Sequence, residues 1–493
     1  MGALHEGHGQ LIKSSLKQDF DLKASTLVSV FVNPLQFGPE EDFEQYPRQL
    51  EEDLHLVDAY GANAFWAPSV DEIFPVEQLD SELDSEGIEI PGPMKNVLCG
   101  RIRPGHFDGV AKVIARLMKL VQPNVLFLGE KDWQQLVIVR WLINALELPI
   151  VVRGIATVRD ADGLAISSRN AYLTPNQRNQ ALALPRLLQG AAQQVKANKS
   201  FDLMMLRNAL EQGGLLVDYL ETIDPYSLQT VAVDQRPCLL AASLRCGNTR
   251  LIDHVFLMSR QPIVAIDGPA GAGKSTVTRG LAERLKLIYL DTGAMYRALT
   301  WLVQHQGIDP HDSLSISAAL EDLELELGPL RSGSQTVEIN GHDVTDAIRS
   351  PQVTAEVSVV AAHGCVRKAM TDQQQEMGRQ GGLVAEGRDI GTAVFPQADL
   401  KVFLTATSSE RARRRASELE RRGFQRPDLA ELQSQIEERD RLDSTRSTAP
   451  LVKADDAYEL VTDDMTIQEV IDSLVDLFRM RVPDEVWPTT DRH

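Results

Sequence analysis

Nine residues near the middle of the chain constrain its fold more than any other feature: Gly268, Pro269, Ala270, Gly271, Ala272, Gly273, Lys274, Ser275 and Thr276. Their spacing is GxxxxGK followed by Ser or Thr. Glycines at these steps let the backbone turn tightly, so that its N–H groups point inward at phosphate oxygens. Lys274 is placed to reach the β- and γ-phosphates, and Ser275 to ligate Mg2+. The apolar run IVAI (263–266) precedes the loop and a helical pattern follows from Lys274. A strand, a phosphate-binding loop and a helix whose positive end meets the anion are therefore expected. An α/β domain that uses ATP follows from this segment alone.

One such domain does not account for 493 residues, a length that predicts two to four domains. Hydrophobic residues make up 43% and charged residues 24%, which excludes a disordered chain. No apolar run approaches the roughly 20 residues needed to span a bilayer. The start MGALHEGHGQ lacks the basic and apolar stretches of a signal peptide, so a cytoplasmic protein is expected. A net charge of −20 argues against nucleic-acid or anionic-membrane partners. Cys99, Cys238, Cys246 and Cys365 are scattered, which predicts neither a zinc site nor a disulfide framework.

Strand-like runs alternate with helical patterns through the first half: 26–32, 125–128, a helix over 134–146, then 150–152. This is the rhythm of a parallel sheet with crossover helices. A last strand-like stretch, 250–253, leads to a boundary near residue 260. The acidic stretch 76–95 reads as a surface excursion. The expected domains are 1–257 and 263–493, with 258–262 as a short linker.

Beyond the phosphate loop, the second half carries DTGAMYR (291–297), EGRDIG (386–391), a basic helix from Glu410, and RDRLD (439–443) with Arg446. With these motifs residues 262–480 resemble bacterial cytidylate kinase. The resemblance implies a P-loop nucleoside-monophosphate-kinase domain that transfers the γ-phosphoryl group of ATP to CMP or dCMP. It assigns CMP binding to Thr292, Arg297, Ser358, Arg367, Arg388, Arg439, Asp443 and Arg446, with Lys274 and Arg388 catalytic. Arginines suit this task, because a guanidinium clamps a phosphate bidentately and the loose transition state needs positive charge. Arg411, Arg413, Arg414, Arg415 and Arg421 would lie on a closing lid. Helical spacing sends some of them to solvent, and the sequence does not choose among them. The family often has aspartate where Glu386 stands.

In the first half, His5-Glu-Gly-His8 places two imidazoles on one side of a turn that enters a helix. NPLQFG (33–38), RPGHFDGV (103–110), GEKD (129–132) with Gln134 and Gln135, and DGLAISSRN (162–170) follow in order. Residues 1–257 thereby resemble pantothenate synthetase (pantoate–β-alanine ligase). The resemblance implies an HxGH nucleotidyltransferase-like Rossmann domain with a small C-terminal α+β subdomain. It implies that pantoate attacks the α-phosphorus of ATP to give pantoyl adenylate and pyrophosphate, after which the β-alanine amine displaces AMP. ATP contacts are implied for Met1, Gly2, Ala3, Leu4, His5, Glu6, Gly7, His8, Gly129, Glu130, Lys131, Asp132, Val158, Ile166, Ser167, Ser168 and Arg169. His5, His8 and Lys131 would be catalytic, with Gln36 and Gln135 on pantoate. Mg2+ and a homodimer through this domain are also implied. Proximity and fixed charge suffice for this chemistry, in keeping with the lack of a Ser–His or Cys–His pair.

Two departures bear on the first half. The family carries roughly 20–30 residues ahead of the HxGH motif, including a buried parallel strand. The expectation is a natural start upstream of Met1, the alternative an impaired ligase centre. Gly9 replaces the usual leucine and should weaken the helix start slightly. A non-catalytic first half serving as a scaffold, and a kinase acceptor of UMP, AMP or shikimate, are the competing readings.

Overall fold

The computed structural model describes residues 2–16, 25–38, 43–75, 89–233, 238–331, 334–421, 427–445 and 449–488. It divides into two compact units: Met1–Ser259 with Pro483–Pro488, and Arg260–Val482. Pro483–Pro488 falls in the first unit, whereas the sequence expectation put everything from 263 in the second domain. Pro483 follows the helix Ile467–Arg481 and lacks the N–H that would extend it, so the chain leaves that helix there.

In the first unit, strands β1 (Leu27–Ser29) and β2 (Ala64–Trp66) pair in parallel, as do β3 (Val125–Gly129) and β4 (Val151–Ile155). Among the described residues these pairs form two separate two-stranded sheets. The helix His106–Val121 buries Phe107, Val110, Val113 and Leu117, which recur at helical spacing on one face. The helix Trp133–Ala145 is buried along most of its length and shares a core cluster with β3, β4 and their neighbours.

The parallel rhythm stops at β4. The rest of the unit is an antiparallel sheet in the order β5-β6-β7, from Leu216–Ile223, Cys238–Cys246 and Thr249–Leu257. The helix Ala183–Lys196 contributes Leu184, Leu188, Ala191 and Val195 to the core that covers it. The stretch read as a strand over 250–253 is thus the first half of a longer hairpin arm.

The second unit is built on five parallel strands in the order β15-β14-β8-β13-β9. These are β8 (Ile263–Asp267), β9 (Ile288–Asp291), β13 (Leu383–Gly387), β14 (Leu400–Thr405) and β15 (Tyr458–Val461). A small antiparallel sheet of β10 (Leu325–Arg331), β11 (Ser334–Ile339) and β12 (His342–Asp343) is inserted between β9 and β13. Every residue of β8 is buried, as a central parallel strand requires. Its sheet neighbours β13 and β14 come much later in the chain, so a crevice opens beyond its C-terminal end. The chain turns there at Gly268, whose φ is 151°. A Cβ at this position would meet the Leu404 carbonyl oxygen at 2.0 Å, which only glycine avoids.

Candidate active sites

The first unit holds a cavity of about 1240 Å³ between β1 and β3. His5 and His8 enter it from the start of the helix Glu6–Leu16, Lys131 and Asp132 from the turn after β3, and Gln36 and Gln135 from the pantoate motifs. Gly2, Gly7, Gly129, Val158 and Ile166 complete the predicted residues on its wall. The two imidazole rings lie 4.1 Å apart, and the His5 amide donates to His8 Nδ1 at 3.2 Å.

Gln36 is held from behind. Its carbonyl oxygen accepts from Arg103 Nη2 at 3.2 Å and lies 2.7 Å from His106 Nδ1. Asn33 Nδ2 donates to the Gly109 carbonyl at 3.0 Å, and Asn33 Oδ1 accepts from the Leu35 amide. A Cβ at Gly109 would meet the Leu35 carbonyl oxygen at 2.1 Å. The motifs NPLQFG and RPGHFDGV are therefore one packed device: the second lets a helix approach the turn that carries Gln36.

Other predicted ATP residues turn elsewhere. Ala3 and Leu4 are buried, and the Leu4 amide donates to the buried Asp53 carboxylate at 2.6 Å. Glu6 faces outward, accepting from Tyr60 Oη and lying 3.9 Å from Lys13. Gly9 gives Tyr60 its place, since a Cβ there would lie 2.2 Å from the ring. The leucine-to-glycine departure is thus compensated by aromatic packing. Glu130 is buried and is not on the wall of the cavity that Lys131 enters. Ser167 caps the turn Ser168–Tyr172, Ser168 Oγ lies 3.2 Å from Tyr46 Oη, and Arg169 lies over the Tyr46 ring at 5.8 Å. Tyr46 also donates to the Gly2 carbonyl, joining the two ATP motifs. It stands in no motif, so sequence reasoning missed it. Met1 lies outside the described residues.

Burial, with the Lys131 ammonium next, lowers the His5 pKa to about 4. Burial also holds His8 well below its usual range, reinforced by His5. Both imidazoles are therefore neutral at pH 7, and Lys131 is the lysine on the cavity wall. The unfolded chain takes up protons here below pH about 6.5, whereas folded His5 does so only near 4. Stability conferred by neutral His5 is thus present above 6.5 and is lost as pH falls towards 4. The His5→Gln variant should lose less melting temperature than wild type between pH 7 and pH 5. Equal losses would remove His5 as the cause.

The second unit holds a cavity of about 1490 Å³ lined by the phosphate loop from Ala270 to Thr276. Lys274 Nζ folds back onto the carbonyls of Gly268 and Pro269, both at 2.8 Å. Burial, with the nearby Arg388 next, drives its pKa well down, a state that an incoming polyphosphate would reverse. Ser275 Oγ and Tyr289 Oη both donate to Glu386 Oε1, at 2.6 and 2.7 Å. The other Glu386 oxygen is buried without a hydrogen-bond partner. Asp267 closes β8 and accepts from the amides of Ile390 and Gly391, while burial pushes its pKa up to about 6. It was also missed, although a carboxylate ending a wholly apolar strand is a readable signal.

Thr292, Arg297, Ser358, Arg367, Arg388, Arg439 and Asp443 all reach this cavity. Arg388 Nε donates to Asp443 at 3.2 Å, Arg297 to Asp291 at 3.2 Å, and Arg367 to Asp389. Thr292 Oγ1 donates instead to the Glu386 carbonyl at 2.6 Å, tying the two motifs together. Arg439 Nε has no hydrogen-bond partner; burial and the Arg388 charge lower its pKa, leaving it ready for an anion. Arg446 lies outside the described residues.

The lid arginines separate by role. Arg414, Arg415 and Arg421 line the cavity. Arg411 is buried, pairs with Asp440 and donates to the Ala270 carbonyl at 2.9 Å, so it braces the loop. Arg413 points outward to Glu410.

A histidine–lysine centre for nucleotidyl transfer and a P-loop centre ringed by arginines define an ATP-consuming enzyme with two active sites. A family model for pantoate-beta-alanine ligase matches residues 1–256, and one for cytidylate kinase matches residues 264–480. A bifunctional pantoate ligase/cytidylate kinase of Prochlorococcus marinus (strain MIT 9313) is 65% identical over 492 residues, covering 100% of this chain and 97% of the relative. Its counterpart in Synechococcus sp. (strain CC9902) is 59% identical, covering 100% and 99%. The solved pantothenate synthetase from Thermus thermophilus is 37% identical, with a TM-score of 0.47, and covers 52% of this chain and 91% of that chain. The chain belongs to the bifunctional pantoate ligase/cytidylate kinase family.

Proposed function

We propose that residues 1–257 condense pantoate with β-alanine through pantoyl adenylate, and that the domain beginning at 263 phosphorylates CMP or dCMP, each at the expense of ATP. One observation carries the reading: each cavity gathers its motifs from distant parts of the sequence onto one wall. Lys131 and the two imidazole N–H groups face the ATP phosphates, and Gln36 and Gln135 orient pantoate so that its carboxylate meets the α-phosphorus. In the second centre Arg388 and Arg439 clamp the acceptor phosphate, while Lys274 and the loop amides hold the transferred group. Arg414, Arg415 and Arg421 bring further charge and exclude water. No observation favours a non-catalytic first half.

Mg2+ fits the second centre, because a hydroxyl and a buried carboxylate with an unpartnered oxygen are hard oxygen donors. Ser275 and Glu386 would hold it. Among the described residues there is no group of three or more His, Cys, Asp or Glu that could hold a metal ion. Bound there, Mg2+ would neutralise charge developing on the phosphates.

A homodimer through the first domain and a cytoplasmic location belong to the same reading; light scattering of the purified chain tests the first. Among the described residues no helix is long and apolar enough to cross a membrane. The activities are tested by AMP release with ATP, Mg2+, pantoate and β-alanine, and by ADP release with CMP. AMP that appears without pantoate, or ADP formed faster with UMP than with CMP, would overturn the corresponding assignment.

A further inference from the structure

The segment Pro483–Pro488, reached in sequence from the helix Ile467–Arg481, is part of the first unit. It meets the buried side of the GEKD turn. The backbone of Asp484 hydrogen-bonds the Glu130 carboxylate, and Glu485 lies 3.6 Å from His254 Nε2. Glu130 is 1% exposed and His254 3%. Glu130 Oε2, His254 Nε2 and Glu485 Oε2 are all buried without a hydrogen-bond partner. Around them stand Trp133, whose ring is 5.9 Å from that of His254, and Asp253, which takes two hydrogen bonds from Arg159 at 2.7 and 2.8 Å.

Burying a carboxyl is costly unless something holds it. Burial first, and the nearby Glu485 and Asp484 next, raise the Glu130 pKa to about 8. Glu130 and Lys131 are consecutive residues of the turn Glu130–Asp132, so what fixes the buried one sets the direction of the one at the cavity.

We propose that Pro483–Pro488 is a positioning element of the ligase centre: by holding Glu130 through the Asp484 amide, with Glu485 packed against His254, it fixes the turn that aims Lys131 at ATP. Removing the end of the chain that follows the kinase domain would then impair the ligase and spare the kinase. The inference rests on the ligase reading above, so wild-type AMP release is the control for that reading, and ADP release with CMP is the control for folding.

The test uses the full chain. Asp484→Pro deletes the amide donor without shortening the chain, Glu485→Ala removes the second contact, and Glu485→Gln retains its size and polarity. Asp484→Pro should raise the KM for ATP of the ligase at least fivefold, with ADP release within twofold of wild type. Glu485→Ala should follow it in the same direction, and Glu485→Gln should recover most of the loss. A chain ending at Val482 should show the same selective defect, rescued by added peptide 481–488. An unchanged KM for ATP in Asp484→Pro and in the shortened chain would overturn the proposal. So would a loss carried equally by both activities, or carried by kcat alone.

Discussion

Replacing Lys274 with methionine is expected to lower CMP-dependent ADP formation by about a thousandfold, while pantoate-dependent AMP release stays at the wild-type rate. Methionine approximates the length and volume of the lysine stem, so the buried loop keeps its packing. What disappears is the nitrogen that now donates to the Gly268 and Pro269 carbonyls, and with it the positive charge it carries once a polyphosphate is bound. With ATP bound that charge has a better partner, and its stabilisation is greatest where phosphate charge spreads in the transition state. Lys274 also lowers the pKa of both Glu386 and Asp267, so its loss leaves both carboxyls still harder to ionise. The second effect would work against Mg2+ held by Ser275 and Glu386, as proposed above, and would add to the first. ADP formation within tenfold of wild type would remove Lys274 from the reaction.

The Lys131→Met variant should show the opposite pattern: AMP release falls by about a hundredfold or more, and ADP release with CMP is unchanged. The size follows from the state of the histidines. With His5 and His8 neutral, the proposed reaction takes its fixed positive charge from Lys131 when pyrophosphate departs. Losing the lysine also removes a positive neighbour that lowers both imidazole pKa values, so these should rise. Titration of the histidine ring protons by NMR should show an upward shift in the variant. A ligase rate that survives Lys131→Met but not His8→Gln would transfer the main burden to the imidazole.

The phosphate loop of the second centre could be read from local spacing, because it is formed by consecutive residues; the pantoate chemistry of the first and the CMP acceptor of the second came from the family resemblances that the ordered motifs carry. Direction could not. Spacing does not separate Gln134 from Gln135, and only the family resemblance chose Gln135; in the structure Gln134 is buried, accepting from the Cys99 amide and donating to the Met94 and Val97 carbonyls, while Gln135 enters the cavity. Glu130 and Lys131 part in the same way. The arginines from 411 to 421 sort into a brace, an outward ion pair and a cavity wall. A helix turns about 100° per residue and its surroundings decide what each face meets.

From the sequence, with the family resemblances its motifs carry, come the two ATP-using domains, the boundary near 260, the motifs and most of the predicted residues that line the two cavities. All depend on short runs whose backbone geometry is local, or on apolar patterns that mark strands and helices. The tertiary structure decided the partners brought together across long separations: Tyr46 with Ser168, Glu386 with Ser275 and Tyr289, and the chain's last described segment with Glu130. Nothing in local spacing encodes such contacts, because they form only when burial drives separate elements into one core and each polar group carried inside must find a partner.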